Sequence, residues 1–321
     1  MRYLKILAFF VVAGLVALVF GPREPFDQSQ TFDASALGDD LDAYLAAEEA
    51  ETPNLRPGTG REIVWASAPG ARSEYVIVNI HGFSASKGEI RPVPERVASA
   101  FKANLFHARL SGHGQSGADL ANATATDWWR DGSEAMAIAR RLGEKIILVG
   151  TSTGATLATL ILADEELSKG VVGLVGVAPN YRFRGAPMWL MRMPFARTIL
   201  PLVGGAERSW EPLNEEQARW WTHRYPTEAT LPMAALVNAA GAVDVSKISQ
   251  PALFLFNDGD EVVDHTRTRE VASQWGGGAG IVTLTPAPGE EPSLHVVTGD
   301  VVAPSTTDEA VAAITGWASG L

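Results

Sequence analysis

The sequence predicts an α/β fold: a doubly wound, mostly parallel sheet with an inserted helical cap. Three observations predict it. From Arg61 onward, apolar strand-like runs alternate with helical stretches, and strands separated by helices are what a parallel sheet requires, because each connection must cross over. Runs such as Ile146-Ile147-Leu148-Val149 have no polar face, which fits strands covered on both sides. One stretch, 180–247, has no convincing strand and is rich in Trp, Met, Pro and Arg, with Trp189, Trp210, Trp220 and Trp221 among them. An insertion of this size between two sheet strands reads as a cap over the sheet's C-terminal edge.

Arg2 and Lys5 precede an unbroken apolar run from Ile6 to Phe20, stopped by Gly21-Pro22. A positive flank followed by a short apolar stretch is the pattern of an export signal. The run is short for a span of about 20 residues, but Leu4, Gly21 and a snorkelling Lys5 bring it close. Pro22 would follow the best cleavage position, so the reading for 1–22 is an uncleaved signal anchor rather than a peptide removed to leave a soluble exported protein. The charge flank places the body on the far side of the membrane, extracytoplasmic and, in a bacterium, periplasmic. Residues 23–60 read as a tether with one short acidic helix around 39–51, ending in Pro53, Pro57, Gly58 and Gly60. The remaining 61–321 form one domain. Its strands are expected at 62–67, 75–80, 104–109, 146–150, 171–177, 252–257 and 281–285. Helices are expected at 93–102, 127–142, 154–163, 265–275 and about 308–317.

Composition removes several classes of function. A length of 321 residues, 46% of them apolar, suits one large domain with insertions. The net charge of -11 disfavours a phosphate backbone, so nucleic acid is not an expected partner. The chain has no cysteine, which excludes disulfides, thiolate metal sites, a cysteine nucleophile and a lipid-bearing cysteine.

The chemistry centres on Gly150-Thr151-Ser152-Thr153-Gly154, which joins a strand to a helix. This is G-x-S-x-G in the context it needs: the serine sits on a strained turn with its hydroxyl above the sheet. Side chains at Gly150 or Gly154 would collide with neighbouring elements. A serine needs a base, and the base an orienting acid; after such an elbow the acid comes first and the histidine later. Of six histidines, His81, His107 and His113 precede Ser152, while His223, His265 and His295 follow it. His223 falls in the cap and His265 at a helix start. His295 follows a Pro/Gly-rich loop between the last strand and the last helix, and is the expected base. The loop after strand 252–257 holds four carboxylates. Asp260, just before the apolar pair Val262-Val263, is favoured over Asp258, with Asp264 and Glu261 as outsiders. The oxyanion donors should be the backbone N–H groups of Thr153, next after the nucleophile, and Phe83, after the strand ending at Ile80. His81 then has a structural role, holding its loop by side-chain hydrogen bonds.

These residues, in this order, resemble a known family. His81-Gly82-Phe83, Arg109-Leu110-Ser111-Gly112-His113-Gly114, the Gly150–Gly154 elbow, Asp260-Glu261-Val262-Val263 and His295-Val296-Val297 are similar to the α/β-hydrolase branch of monoacylglycerol lipases, carboxylesterases and serine aminopeptidase-like proteins. The resemblance covers the chain after Arg61, supports Asp260 as the acid, and does not extend to the cap or the N-terminal run. It implies hydrolysis of a carboxylic ester by Ser152, His295 and Asp260, with no metal or organic cofactor required; the Trp- and Met-rich cap and the N-terminal anchor favour an apolar or lipid-like acyl group. Amide or thioester hydrolysis by the same residues is the alternative, and a non-catalytic membrane-anchored binding protein the third.

Overall fold

The central sheet has seven strands in the order β1-β3-β2-β4-β5-β8-β9. They are β1 (Glu62–Val64), β2 (Ser73–Ile80), β3 (Asn104–His107), β4 (Gly143–Thr151), β5 (Val171–Val177), β8 (Ala252–Phe256) and β9 (Ala279–Thr283); two further strands, β6 (Glu207–Ser209) and β7 (Arg224–Pro226), pair apart from it. Only β1 runs antiparallel to its neighbour; every other pairing in the sheet is parallel. The computed structural model describes residues 2–185 and 188–321; residues 1, 186 and 187 lie outside the description, as do the side chains of part of the first helix, Arg2 among them.

The helices are α1 (Arg2–Phe20), α2 (Leu41–Ala50), α3 (Val93–Phe101), α4 (Gly117–Asn122), α5 (Ala125–Leu142), α6 (Thr153–Ala163), α7 (Met188–Met191), α8 (Ala196–Gly204), α9 (Glu215–Trp220), α10 (Leu231–Gly241), α11 (His265–Gln274) and α12 (Thr307–Ala318). β4 shows why its sequence is apolar throughout. Ile146 and Leu148 pack into one core layer with Trp128 and Leu157, while Ile147 and Val149 pack into the other with Val97 and Ile314. Alternate side chains of a strand point to opposite faces, so a strand covered by α5 and α6 on one side and α3 and α12 on the other has no solvent face. α5 starts where its caps dictate: Thr124 and Asp127 satisfy each other's backbone N–H groups in a capping box.

Three expectations need correction. Residues 23–60 are not a free tether. Leu37, Leu41 and Leu45 are buried in the main core, because α2 presents Leu41 and Leu45 four residues apart on one face. The Trp129 indole donates to Gln28 O at 2.8 Å and Phe32 N donates to Ser133 Oγ at 2.6 Å, fastening the segment along α5. Arg61 pairs with both Glu49 and Glu134 at 2.6 Å, and Arg109 with Glu49 at 3.1 Å. Second, the stretch 180–247 is not free of strands: β6 and β7 form an antiparallel pair. Its last helix, α10, packs on α6 and α5 as well as on the cap helix α7, and so joins the cap to the helices over the sheet. Third, the apolar run does form a helix, α1, but among the described residues no helix is long and apolar enough to cross a membrane. α1 ends ahead of Gly21-Pro22, and Arg23 caps its last turn, its guanidinium donating to Leu18 O and Val19 O. The chain just after it grips the cap, with Phe195 N donating to Pro22 O at 2.7 Å and Arg197 paired with Glu24 at 2.8 Å.

Candidate active site

Ser152 lies between β4 and α6 with φ 51° and ψ -113°, a conformation an L-residue rarely adopts without compulsion. The compulsion is steric and comes from its flanks. A Cβ on Gly150 would come within 2.6 Å of the Ala155 backbone, and one on Gly154 within 2.1 Å of Ile80 O. The tight packing of α6 against β4 and β2 therefore needs both glycines, Gly150 toward α6 and Gly154 toward β2. It leaves Ser152 at the sheet's C-terminal edge, with its backbone N–H bonded to Val177 O at 2.8 Å.

The structure brings three of the expected residues together. His295 Nε2 lies 3.0 Å from Ser152 Oγ, and His295 Nδ1 lies 2.8 Å from Asp260 Oδ2. A carboxylate only accepts, so Nδ1 carries the proton and Nε2 is free to accept from the serine hydroxyl. Asp260 is fully buried; its other oxygen accepts from Val262 N at 2.8 Å and Val263 N at 2.9 Å. Burial favours the neutral ring of His295, yet the negative charge of Asp260, reinforced by Glu89 and Glu291, holds it above the ordinary histidine value.

The competing carboxylates are placed elsewhere. Asp258 pairs with Arg269 at 2.8 Å. Asp264 caps α11 and pairs with Arg182 at 3.0 Å. Glu261 lines the cavity above Ser152, but its backbone N–H bonds Ser293 O. The other histidines are also accounted for. His107 is buried against Asn79 at 3.0 Å, His223 meets Trp210 edge-on in the cap, and His265 begins α11.

Phe83 lines the same cavity as Ser152, and Thr153 is the first residue of α6, where backbone N–H groups have no partner within the helix. His81 holds the turn before Phe83: Leu110 N donates to its Nε2 at 3.1 Å, and its Nδ1 donates to Gly82 O at 2.8 Å. Burial pushes its ring down to about 4, so it is a neutral brace. The Arg109–Gly114 motif supplies the other side of this brace, with His113 packed against His81, Phe83 and Trp128.

Above Ser152 opens a cavity of about 590 Å³ walled largely by apolar groups from the cap and its surroundings, including Phe183, Met191, Leu200, Trp210, Trp221 and Tyr225. Trp189 is exposed and Trp220 packs into the core. Sequence reasoning missed two carboxylates. Glu291 gathers the histidine loop by accepting from the backbone N–H groups of Ser293, His295 and Val296. Glu89 is buried behind the turn at Gly82-Phe83 and accepts from Gly82 N at 2.6 Å. A glutamate four residues before a histidine in the same loop carries no signature that a sequence pattern could flag.

A family model described as the alpha/beta hydrolase family matches residues 76–317. Comparison with curated proteins gives no match. Among solved structures, one from work on LipS and LipT, two metagenome-derived lipolytic enzymes, is 20% identical, covers 82% of this chain and 99% of its own, with a TM-score of 0.61. A monoacylglycerol lipase of Paleococcus ferrophilus is 14% identical over 80% of this chain and 96% of its own, with a TM-score of 0.55. A soluble variant of the monoglyceride lipase of Saccharomyces cerevisiae is 11% identical over 80% of this chain and 90% of its own, with a TM-score of 0.53. At these identities the likeness is one of fold.

Proposed function

The chain belongs to the alpha/beta hydrolase family, and on that premise we propose that it is a serine hydrolase cleaving a carboxylic ester with an apolar or lipid-like acyl group. The observation that carries the reading is the hydrogen-bonded chain Ser152–His295–Asp260 at the floor of a mostly apolar cavity. Ser152 Oγ attacks the ester carbonyl and gives its proton to His295 Nε2. The carbonyl oxygen becomes an oxyanion held by the Phe83 and Thr153 N–H groups. The tetrahedral species collapses, the alkoxide leaves with the proton from His295, and the acyl group stays on Ser152. Water repeats the sequence, His295 taking its proton, and releases the acid. Asp260 fixes the tautomer and stabilises the imidazolium throughout.

The apolar walls support an apolar acyl group, and the lipase fold-relatives are consistent with it. The test is labelling by a fluorophosphonate together with a series of p-nitrophenyl esters of graded length. Ser152→Ala should remain folded, lose the label and lose turnover by several orders of magnitude. Undiminished turnover in that variant refutes the assignment. Amide or thioester substrates hydrolysed in preference to every ester would move the reading to the other acyl-transfer class.

The same proposal extends to location. Arg2 and Lys5 ahead of the apolar run support export of the hydrolase domain from the cytoplasm. Protease protection in spheroplasts tests this: a domain resistant to external protease refutes it, and N-terminal sequencing of the mature protein shows whether the run is retained.

A further inference from the structure

Glu89 is 3% exposed, and its burial calls for an account. The neighbouring cations are engaged elsewhere: Lys87 pairs with Glu62 at 2.7 Å, and Arg91 pairs with Glu95. Burying a carboxylate without a cation costs stability. Here desolvation raises Glu89 to about 7, against the lowering influence of the Gly82 N–H and His295. The chain is shaped to keep the group there. Gly88 lies under the Trp220 ring, where a Cβ would come within 2.0 Å, and Gly299 abuts Ile90, with 2.6 Å to a Cβ. At Gly82 a Cβ would fall 2.7 Å from Glu89 Oε1, so only glycine lets the carboxylate approach.

That glycine precedes Phe83, and glycine has the freest backbone of any residue. A turn built on it needs outside anchors, and both polar groups of Gly82 have one. Glu89 Oε2 accepts the Gly82 N–H at 2.6 Å, and His81 Nδ1 donates to the Gly82 carbonyl at 2.8 Å. The Gly82 carbonyl and the Phe83 N–H belong to one planar trans peptide and point in opposite directions. Pinning Gly82 at both ends therefore fixes the direction of the Phe83 N–H.

We propose that Glu89 is a positioning residue for the oxyanion turn: by accepting the Gly82 N–H it aims the Phe83 N–H at the developing oxyanion. This rests on the serine-hydrolase reading of the site. The oxyanion exists only along the reaction path, so the loss should appear in kcat rather than KM. Removing an oxyanion donor costs about 10²–10³-fold; misaiming one should cost about 10- to 100-fold.

The experiment compares p-nitrophenyl butyrate hydrolysis by wild type, E89Q, E89D and E89M, with thermal melting of each. Inhibition by an alkyl trifluoromethyl ketone, which forms a tetrahedral oxyanion on the serine, is measured beside it. Methionine keeps the volume without an acceptor, aspartate keeps the charge a methylene short, and glutamine keeps an acceptor oxygen. Expected are kcat losses of about 10- to 100-fold in E89M and E89D, with KM within about threefold and ketone affinity falling in parallel. E89Q should recover to within about fivefold of wild type. Wild-type kcat in a folded E89M or E89D overturns the proposal, and so does a folded E89Q as impaired as those two. A wild type that neither turns over nor takes a fluorophosphonate label removes the serine-hydrolase reading itself, which is a distinct result.

Discussion

Asp260→Asn tests the site most sharply, because the structure dictates how the amide must turn. Three N–H groups converge on Asp260: those of Val262 and Val263 on Oδ1, at 2.8 and 2.9 Å, and that of His295 Nδ1 on Oδ2, at 2.8 Å. Asparagine offers one acceptor oxygen and one NH₂. With the NH₂ toward Val262 and Val263, one buried and one part-buried donor would face a third, at a cost of about 1–5 kcal/mol. The amide oxygen therefore stays on the backbone pair and the NH₂ faces His295. Nδ1 must then accept, its proton moves to Nε2, and the ring can no longer take a proton from Ser152. In serine proteases the corresponding wrong tautomer costs about 10⁴ in kcat, or about 5.5 kcal/mol of barrier. The substitution should cost only about 1–3 kcal/mol in stability, from weakening charge-assisted hydrogen bonds. Asp258→Asn is the control. It loses a half-exposed pair with Arg269, worth below about 1 kcal/mol, and should leave turnover unchanged. The assay is kcat for a p-nitrophenyl ester beside urea unfolding of all three proteins. An Asp260→Asn variant keeping more than about a tenth of wild-type kcat, or a crippled Asp258→Asn variant, would refute the reasoning.

Two further predictions follow from the charges around the site and from the packing of the N-terminal segment. His295 is held above the ordinary histidine value by Asp260, Glu89 and Glu291. Only its neutral ring accepts the serine proton, so kcat/KM should be lost as pH falls through a midpoint above 6.5. Removing a negative charge stabilises the neutral ring, so Glu291→Gln should move that midpoint to lower pH; an unmoved or raised midpoint in the pH–rate profile contradicts the assignment. Leu45 is buried in the main core, so Leu45→Ala should destabilise the whole domain by about 2–4 kcal/mol in a single urea transition. An unchanged transition would restore the picture of residues 23–60 as a tether.

What the sequence made legible is what its physics settles locally. The strand, turn and helix around Ser152 fall within a few residues, and the two glycines mark the close approach that the structure shows against Ala155 and Ile80. Asp260 could be preferred over Asp258 because Val262-Val263 promised an anchor; Val263 alone supplies it, being buried while Val262 is exposed, and Asp258 reaches out to Arg269. The misreadings share a different cause. The Leu41–Leu45 pair sits among Pro, Gly and acidic residues that read as a tether, and Glu49 is neutralised only where Arg61 and the sequence-distant Arg109 close on it. α10 is apolar nearly all round, which marks a helix buried on several sides, and it packs on α5, α6 and α7. β6 and β7 are three residues each, too short for any periodicity to show. A carboxylate's cost of burial depends on what the rest of the chain brings to it. As letters, Glu49, Glu89 and Glu291 are therefore indistinguishable. In the fold they differ by partner: two arginines for Glu49, the N–H of the oxyanion turn for Glu89, and the N–H groups of the histidine loop for Glu291. The last two partners are backbone groups, which any residue supplies, and for that reason no side-chain pattern announces them.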